Sequence, residues 1–110
     1  MNNEKAQDLR VRSKEFALRI IRLYVSLPKS TEAQVLGKQV LRSGTSGGLQ
    51  ELDETSYWLE LLAESGLFPA NRLEALRKEA DELTAIFVTI VTKVKGRLNN
   101  AKQKTKTDKV

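Results

Sequence analysis

The feature that most constrains this chain is a run of apolar residues that recur at alternating intervals of three and four between residues 73 and 94. The run consists of Leu73, Leu76, Ala80, Leu83, Phe87, Ile90 and Val94. This spacing places every member on one face of an α-helix and is typical of helices that pack side by side in a left-handed bundle. The helix begins near Pro69 and needs helical partners to cover its apolar face.

Three preceding segments supply such partners. The first is predicted from about Asn3 to Leu27, because Leu9, Ser13, Phe16, Ile20, Leu23 and Leu27 share one face and Pro28 ends the helix. The second begins after Lys29 with Ser30 or Thr31 as N-cap, and its inward positions are Ala33, Leu36, Val40 and Gly37. The third covers about Gly48 to Glu64, with Leu49, Leu52, Ser56, Leu59 and Ala63 on one face.

Four amphipathic segments with short connections predict an all-α fold, an antiparallel up-down-up-down four-helix bundle over residues 1–98. Residues 99–110 form a basic tail without apolar periodicity, which we expect to fray or to be disordered. The first and fourth helices are longer than the second and third. At about 1.5 Å per residue, about a third of each long helix then lacks cover inside one chain.

Composition excludes several kinds of site. The chain has no cysteine and no histidine, which removes disulfides, zinc-finger chemistry and the usual imidazole base. The acidic residues Glu51, Asp53, Glu54 and Glu60 are better explained as a solvated face or as ion-pair partners than as a metal site. We therefore expect no enzyme activity, no metal and no cofactor.

The sequence also contains no membrane-spanning segment and no signal-peptide pattern at its N-terminus. No apolar run approaches the roughly 18 residues that cross a bilayer. These features, together with the missing cysteines, predict a cytoplasmic protein that does not bind a membrane.

The positive charge is concentrated at the two ends of the chain. The formal net charge is +5, and residues 47–71 contain five acids and no base, whereas residues 93–110 contain seven bases and one acid. Such asymmetry is typical either of a surface that binds polyanions or of ordinary solvated faces. The candidate residues for binding nucleic acid are Arg10, Arg12, Lys14, Arg19, Arg22, Lys38, Arg42, Lys93, Lys95 and Arg97.

The first helix carries a second apolar row, on roughly the opposite side from its core face. Val11, Leu18 and Val25 recur every seven residues. A repeated apolar row suggests a second contact, and the alternatives to an interface with another copy are chance scatter and burial by the chain's own tail. We predict an oligomer interface that combines this row with the outer part of the third helix, at Trp58 and Leu61.

Several segments resemble those of a known family. FALRII, SLPK, LRSGTS and DETSYWLELL, within about residues 8–95, occur in this order in the bacterial four-helix-bundle proteins encoded in intervening sequences of 23S ribosomal RNA genes. That family is related to the accessory variability determinant (Avd) proteins of diversity-generating retroelements. The resemblance implies ring-like homo-oligomers, expected to be pentamers. For the retroelement branch it also implies a basic surface that binds nucleic acid and a reverse transcriptase.

The chain departs from the family's pattern in one place. By that pattern about two dozen residues are absent between Ser46 and Gly47. Either the chain carries a true deletion, or the sequence omits a mobile segment at this point. The resemblance therefore predicts that these residues are not joined by a compact turn and that Phe16 or Phe87 is left uncovered.

Two functions remain open from the sequence. One is a non-enzymatic oligomer that binds RNA or DNA through its basic surface, mostly by counterion release and with little sequence readout. The resemblance implies a role beside a reverse transcriptase or as an intervening-sequence protein. The other is a structural or adaptor protein whose basic ends bind an acidic protein partner.

Overall fold

In the computed structural model, which describes the backbone of residues 3–108 and the side-chain surroundings of residues 7–100, the chain forms four helices. These are α1 (Asn3–Ser26), α2 (Thr31–Thr45), α3 (Leu49–Glu64) and α4 (Ala70–Asp108). Each helix packs against two others, so that α1 lies between α2 and α4, and α3 lies between the same two. The described residues contain no strand. The predicted all-α four-helix fold is confirmed.

Local signals set the boundaries of the helices. The Ser30 hydroxyl accepts a hydrogen bond from the Ala33 amide at 3.3 Å, which caps the start of α2. After α3 the chain turns at Gly66, whose φ of +75° is a left-handed conformation that favours glycine. Pro69 then precedes α4, where its missing N–H costs no helical hydrogen bond.

The core is formed by the predicted stripes of α1 and α4, with one shift in α3. Phe16, Ile20 and Leu23 of α1 are buried, as are Leu27 directly after it and Leu73, Leu76, Ala80 and Leu83 of α4. In α3 the buried residues are Leu52, Thr55, Leu59 and Leu62, so Thr55 and Leu62 occupy the places that the sequence assigns to Ser56 and Ala63. Thr55 can be buried because its hydroxyl lies 2.8 Å from that of Ser43, a buried residue of α2.

The connection between α2 and α3 corrects one prediction. Ser46 is the C-cap of α2 and Gly48 is the N-cap of α3. Gly47 between them has a φ of +79°, which a residue with a side chain would adopt only with strain. Ser46 and Gly47 therefore do lie in a compact turn, and the prediction that they do not is wrong. Of the two residues that were expected to include an uncovered one, Phe16 is buried and Phe87 is half-buried.

The predicted mismatch in helix length is present in the structure. The turn between α2 and α3 lies level with Ser13 of α1 and with Leu83 and Phe87 of α4, because all of them line one small cavity of about 20 Å³. Residues 3–12 of α1 and 88–108 of α4 extend past this level, and we refer to these two segments together as the overhang. The molecule is accordingly elongated, with extents of 65 × 26 × 19 Å.

The last part of α4 differs from the expectation for residues 99–110. The helix continues to Asp108, although the sequence predicts fraying or disorder from Asn99 onward. Alanine, lysine and glutamine are good helix formers, and they favour continuation even where no apolar stripe directs packing. The final two residues lie outside the described part of the chain.

Candidate nucleic-acid interface

Three arginines meet in an open groove between α1 and α4. Arg19 and Arg22 stand one turn apart on α1, and Arg72 stands in the first turn of α4. The groove has a volume of about 300 Å³, and its other lining residues are Leu23, Ser26, Phe68 and Leu76. We call Arg19, Arg22 and Arg72 the arginine groove. Within residues 7–100 none of the three forms a salt bridge.

Arg72 was not among the residues predicted from the sequence. Its guanidinium lies 4.8 Å from the centre of the Phe68 ring, a cation–π contact that fixes the side chain over a buried aromatic residue. The only sequence signal for this contact is that Arg72 follows Phe68 by four residues, with Pro69 between them. That spacing does not reveal that α1 supplies two further arginines.

Arg12, which the sequence places with the nucleic-acid-binding residues, is paired within the chain. Its Nε donates to Glu79 Oε2 at 3.1 Å, and its Nη2 donates to Glu79 Oε1 at 2.7 Å and to Glu82 Oε2 at 3.0 Å. Two carboxylates therefore compete with any outside phosphate for this guanidinium. The structure gives Arg12 a clear role in joining α1 to α4.

The same contacts change the ionisation of Glu79. The hydrogen bond from Arg12 is the main reason that the pKa of Glu79 is lowered from its ordinary value of 4.5. The positive charge of Arg19 contributes in the same direction, so Arg19 lies within electrostatic reach of Glu79. Arg19 is therefore near Glu79 without forming a salt bridge with it.

The two predicted basic residues of α2 also differ in whether they form an ion pair. Lys38 is exposed, whereas Arg42 contacts Gln39 and forms an ion pair with Glu54. Glu54 also accepts a hydrogen bond from Trp58 Nε1 at 2.9 Å, and this bond is the largest cause of the lowered pKa of Glu54, ahead of Arg42. Glu54 thus belongs to an ion pair within the chain, which was one of the alternatives for the acidic residues.

The remaining predicted basic residues do not join the arginine groove. Arg10 and Lys14 are exposed on α1, and Lys93, Lys95 and Arg97 are exposed on the overhang. The structure therefore separates the ten predicted residues into a groove, two internal ion pairs, the overhang cluster and isolated surface charges. Only Arg19 and Arg22 of the ten line the groove, where Arg72 completes the set.

The predicted oligomer row of α1 is exposed to solvent. Val11 is 49% exposed, Leu18 42% and Val25 69%, and Ile21, which was not predicted, adds a fourth apolar residue at 42%. Trp58 and Leu61 are half-buried, and Trp58 also packs edge-to-face with Tyr57, with 5.1 Å between ring centres. Leu18, Ile21 and Val25 thus form a group of neighbouring exposed apolar residues, and the exposed Lys14 and Glu15 separate them from Val11.

In the described part of the chain, no group of three or more acidic side chains is arranged to hold a metal ion. None of the helices, over the same residues, is both long and apolar enough to cross a bilayer.

Comparison with known proteins identifies one informative relative of solved structure. It is a protein with unknown function from the S23 ribosomal protein family of Bacteroides thetaiotaomicron VPI-5482, which is 29% identical to this chain, with a TM-score of 0.73. The similarity covers 80% of this chain and 98% of the relative. No model of a protein family and no curated protein matches the chain. In fold, and over most of its length, the chain is therefore similar to a member of the S23 ribosomal protein family, in agreement with the resemblance to intervening-sequence proteins of 23S ribosomal RNA genes.

Proposed function

We propose that this protein is a non-enzymatic member of the 23S ribosomal RNA intervening-sequence family that binds the phosphate backbone of RNA or DNA in its arginine groove. The observation that carries the proposal is the convergence of Arg19, Arg22 and Arg72 around one open groove with no salt bridge between them and a described acid. Planar guanidinium groups bind phosphate oxygens in pairs, which makes arginine well suited to this ligand.

The spacing of the arginines supports a chain of phosphates as the ligand. Arg19 and Arg22 are three residues apart on one helix, where Cβ atoms lie about 5–6 Å from each other. Arg72 reaches the same groove from α4, on the other wall. Successive phosphates of one strand can therefore contact successive guanidinium groups.

The floor of the groove argues against recognition of bases. Phe68 is the only aromatic residue lining the groove, and it is 6% exposed beneath the guanidinium of Arg72. A base cannot stack on a covered ring, whereas single-strand binders that read bases rely on exposed aromatic faces. Binding is accordingly expected to depend on charge and only weakly on sequence.

The biological setting follows from the family. A protein of this kind acts either beside a reverse transcriptase, as an accessory factor of a diversity-generating retroelement, or as the product of an intervening sequence in a 23S ribosomal RNA gene. Both settings supply RNA as a ligand. An adaptor that binds an acidic protein through the same groove is the alternative.

The test compares two variants with equal loss of charge. The groove variant is Arg19→Gln, Arg22→Gln and Arg72→Gln, and the control is Lys29→Gln, Lys38→Gln and Lys78→Gln, all at exposed surface positions. Fluorescence anisotropy with a labelled single-stranded RNA and a DNA duplex is recorded from 50 to 200 mM salt. Each phosphate contact contributes about 0.9 to the log–log salt slope on duplex DNA and about 0.7 on a single strand.

We expect the groove variant to lose at least tenfold in affinity and about two units of salt slope, while the control keeps most of both. Equal losses in the two variants would show that general charge, and not the groove, holds the nucleic acid. No salt-dependent binding by the unchanged protein would defeat the proposal and favour the adaptor. Circular dichroism of both variants checks that the bundle is intact.

A further inference from the structure

The basic residues of α1 continue beyond the arginine groove. Arg12 precedes Arg19 by one heptad, which is about 10 Å along the helix at about 1.5 Å per residue. Arg12 contacts α4, and Arg19 lines the groove between α1 and α4, so both lie on the side of α1 that meets α4. A chain of phosphates that follows this contact away from Arg72 therefore reaches Arg12 next after Arg19.

The opposite wall, on α4, changes sign at the same level. Arg72 is followed one heptad later by Glu79 and then by Glu82. Both carboxylates accept hydrogen bonds from Arg12, Glu79 at 3.1 and 2.7 Å and Glu82 at 3.0 Å. One base and two acids leave a formal charge of −1 at the place where the groove would gain its next arginine. A chain of phosphates is repelled there, whereas the arginine groove attracts it.

Glu79 also occupies an edge of the Arg12 guanidinium that a phosphate uses. Nε and Nη2 donate to the two oxygens of Glu79, which is the paired geometry in which arginine binds phosphate. Glu79 stays ionised at neutral pH, because the hydrogen bond from Arg12 lowers its pKa. On this edge a phosphate binds Arg12 only when it displaces Glu79.

We propose that Glu79 and Glu82 form an anionic stop that limits the nucleic-acid site to the arginine groove and holds Arg12 back as a latent phosphate ligand. The stop acts on the site of the proposed function, on which the proposal therefore rests. With the carboxylates charged, the site takes a short stretch of backbone. With the carboxylates neutral, the Arg12 side chain, which is 36% exposed, is free to take at least one further phosphate.

A third carboxylate is close enough to replace those of the stop. Glu15 is exposed on α1, three residues after Arg12 and four before Arg19, and these are the spacings of neighbouring side chains on a helix. It would pair with Arg12 once Glu79 and Glu82 were neutral. The test variant is therefore Glu15→Gln with Glu79→Gln and Glu82→Gln.

The control variant removes the same amount of charge from α3, a helix that contributes no residue to the groove. It consists of Asp53→Asn, Glu60→Gln and Glu64→Gln, all at exposed positions. Both variants raise the net charge by three, so a gain that comes from net charge alone appears in both.

The measurement is fluorescence anisotropy with labelled single-stranded RNA of increasing length, recorded against salt concentration. We expect the test variant to bind about threefold more tightly than the control, within the range of an exposed ion pair. Its salt slope should be larger by about 0.7, which is one further phosphate contact on a single strand. Its affinity should also go on rising with RNA length after that of the control has levelled off.

Two further substitutions assign the gain to Arg12. Arg12→Gln, added to the test variant, should remove the gain in affinity and in salt slope. Lys78→Gln, added instead, removes the same charge at an exposed position of α4 and should leave most of both. Circular dichroism checks that each variant is folded.

Glu82→Gln alone is the mildest opening of the stop, because Glu82 is 51% exposed and accepts one bond from Arg12. This variant keeps the paired contact between Arg12 and Glu79, so it should stay folded and show part of the gain in affinity.

Two results would overturn the proposal. One is a test variant that matches the control in affinity, salt slope and length dependence, which would leave the Arg12 ion pairs with a structural role alone. The other is a gain that Arg12→Gln does not remove, which would assign the effect to charge near the groove. Either result leaves the proposed function intact when the unchanged protein binds RNA through the arginine groove. A lack of salt-dependent binding in every form of the protein would instead defeat the proposed function and the stop together.

Discussion

Arg12 of α1 and Glu79 of α4 form a two-pronged ion pair, with Nε and Nη2 of the guanidinium donating to the two carboxylate oxygens at 3.1 and 2.7 Å. The residues are 67 positions apart in the sequence, and the contact joins the first helix to the last. The pairing of α1 with α4 closes the bundle, since the other neighbouring helices are already joined by short connections.

The first prediction is that this pair makes stability depend on pH. The pKa of Glu79 is lowered in the folded state, so its contribution is present above pH 4.5 and is lost as the pH falls through the lowered value. Glu79→Gln should reduce the free energy of unfolding at pH 7 by about 1 kcal/mol, a magnitude discounted for the partial exposure of Arg12. Urea denaturation at several pH values measures the difference between the two proteins.

The difference should shrink towards zero in acid, where Glu79 of the wild type is itself protonated. Glu82→Gln serves as the control, because Glu82 accepts only one bond from Arg12 and is 51% exposed. A Glu79→Gln difference that is constant from pH 7 to pH 3 would contradict the ionic origin of the effect.

The second prediction concerns the close approach of α1 and α2 at Gly44. A Cβ added to Gly44 would lie 2.8 Å from Ile20 Cγ1 and 3.0 Å from Ile20 Cγ2, and Ile20 is fully buried. Gly44→Ala should therefore cost about 1–3 kcal/mol, although alanine is the better helix former. Thermal and urea denaturation measure the loss.

Gly96 provides the matched control for this substitution. It also lies inside a helix, but a Cβ there would meet nothing within 4 Å. Gly96→Ala should be neutral or stabilise the protein by up to about 1 kcal/mol. Equal effects of the two alanines would mean that α1 and α2 are not in close contact at Gly44.

The third prediction concerns the α1 row. Leu18→Glu should dissociate the predicted homo-oligomer while leaving helicity largely unchanged, because Leu18 is 42% exposed and is not part of the core. Burial of an apolar side chain of this size contributes about 1.5–3 kcal/mol when it is complete. Sedimentation measures the assembly and circular dichroism the helicity. A wild-type protein that sediments as a monomer at micromolar concentration would contradict the prediction.

The fold could be predicted from the sequence because three of its determinants are local. The intervals of three and four in α1 and α4, the proline after α1 and the Ser30 cap depend on neighbouring residues alone. In α3 the apolar residues of YWLELL lie on several sides of the helix, so periodicity did not separate Thr55 and Leu62 from Ser56 and Ala63. The burial of Thr55 depends on Ser43, which belongs to another helix.

The candidate site was less accessible to sequence reasoning. Basic composition identified Arg19 and Arg22, but composition cannot distinguish a guanidinium that faces solvent from one that two glutamates hold. Arg12 and Arg19 are one heptad apart on α1. Of these two residues, only Arg12 forms a salt bridge within the described part of the chain. Arg72 joins the groove through the packing of α4 on α1, a long-range relationship without a local signature.

The glycines of α2 have a consequence for the order in which the helices form. Gly37 and Gly44 each cost about 1 kcal/mol relative to alanine inside a helix, and an isolated helix of 15 residues is already marginal in water. The α2 segment thus becomes helical only when Ile20 and Tyr24 of α1, and Leu27 directly after it, lie against it. Its amide hydrogens should exchange with solvent in concert whenever α2 separates from α1, so that α2 is the last helix to consolidate during folding and the first to be released.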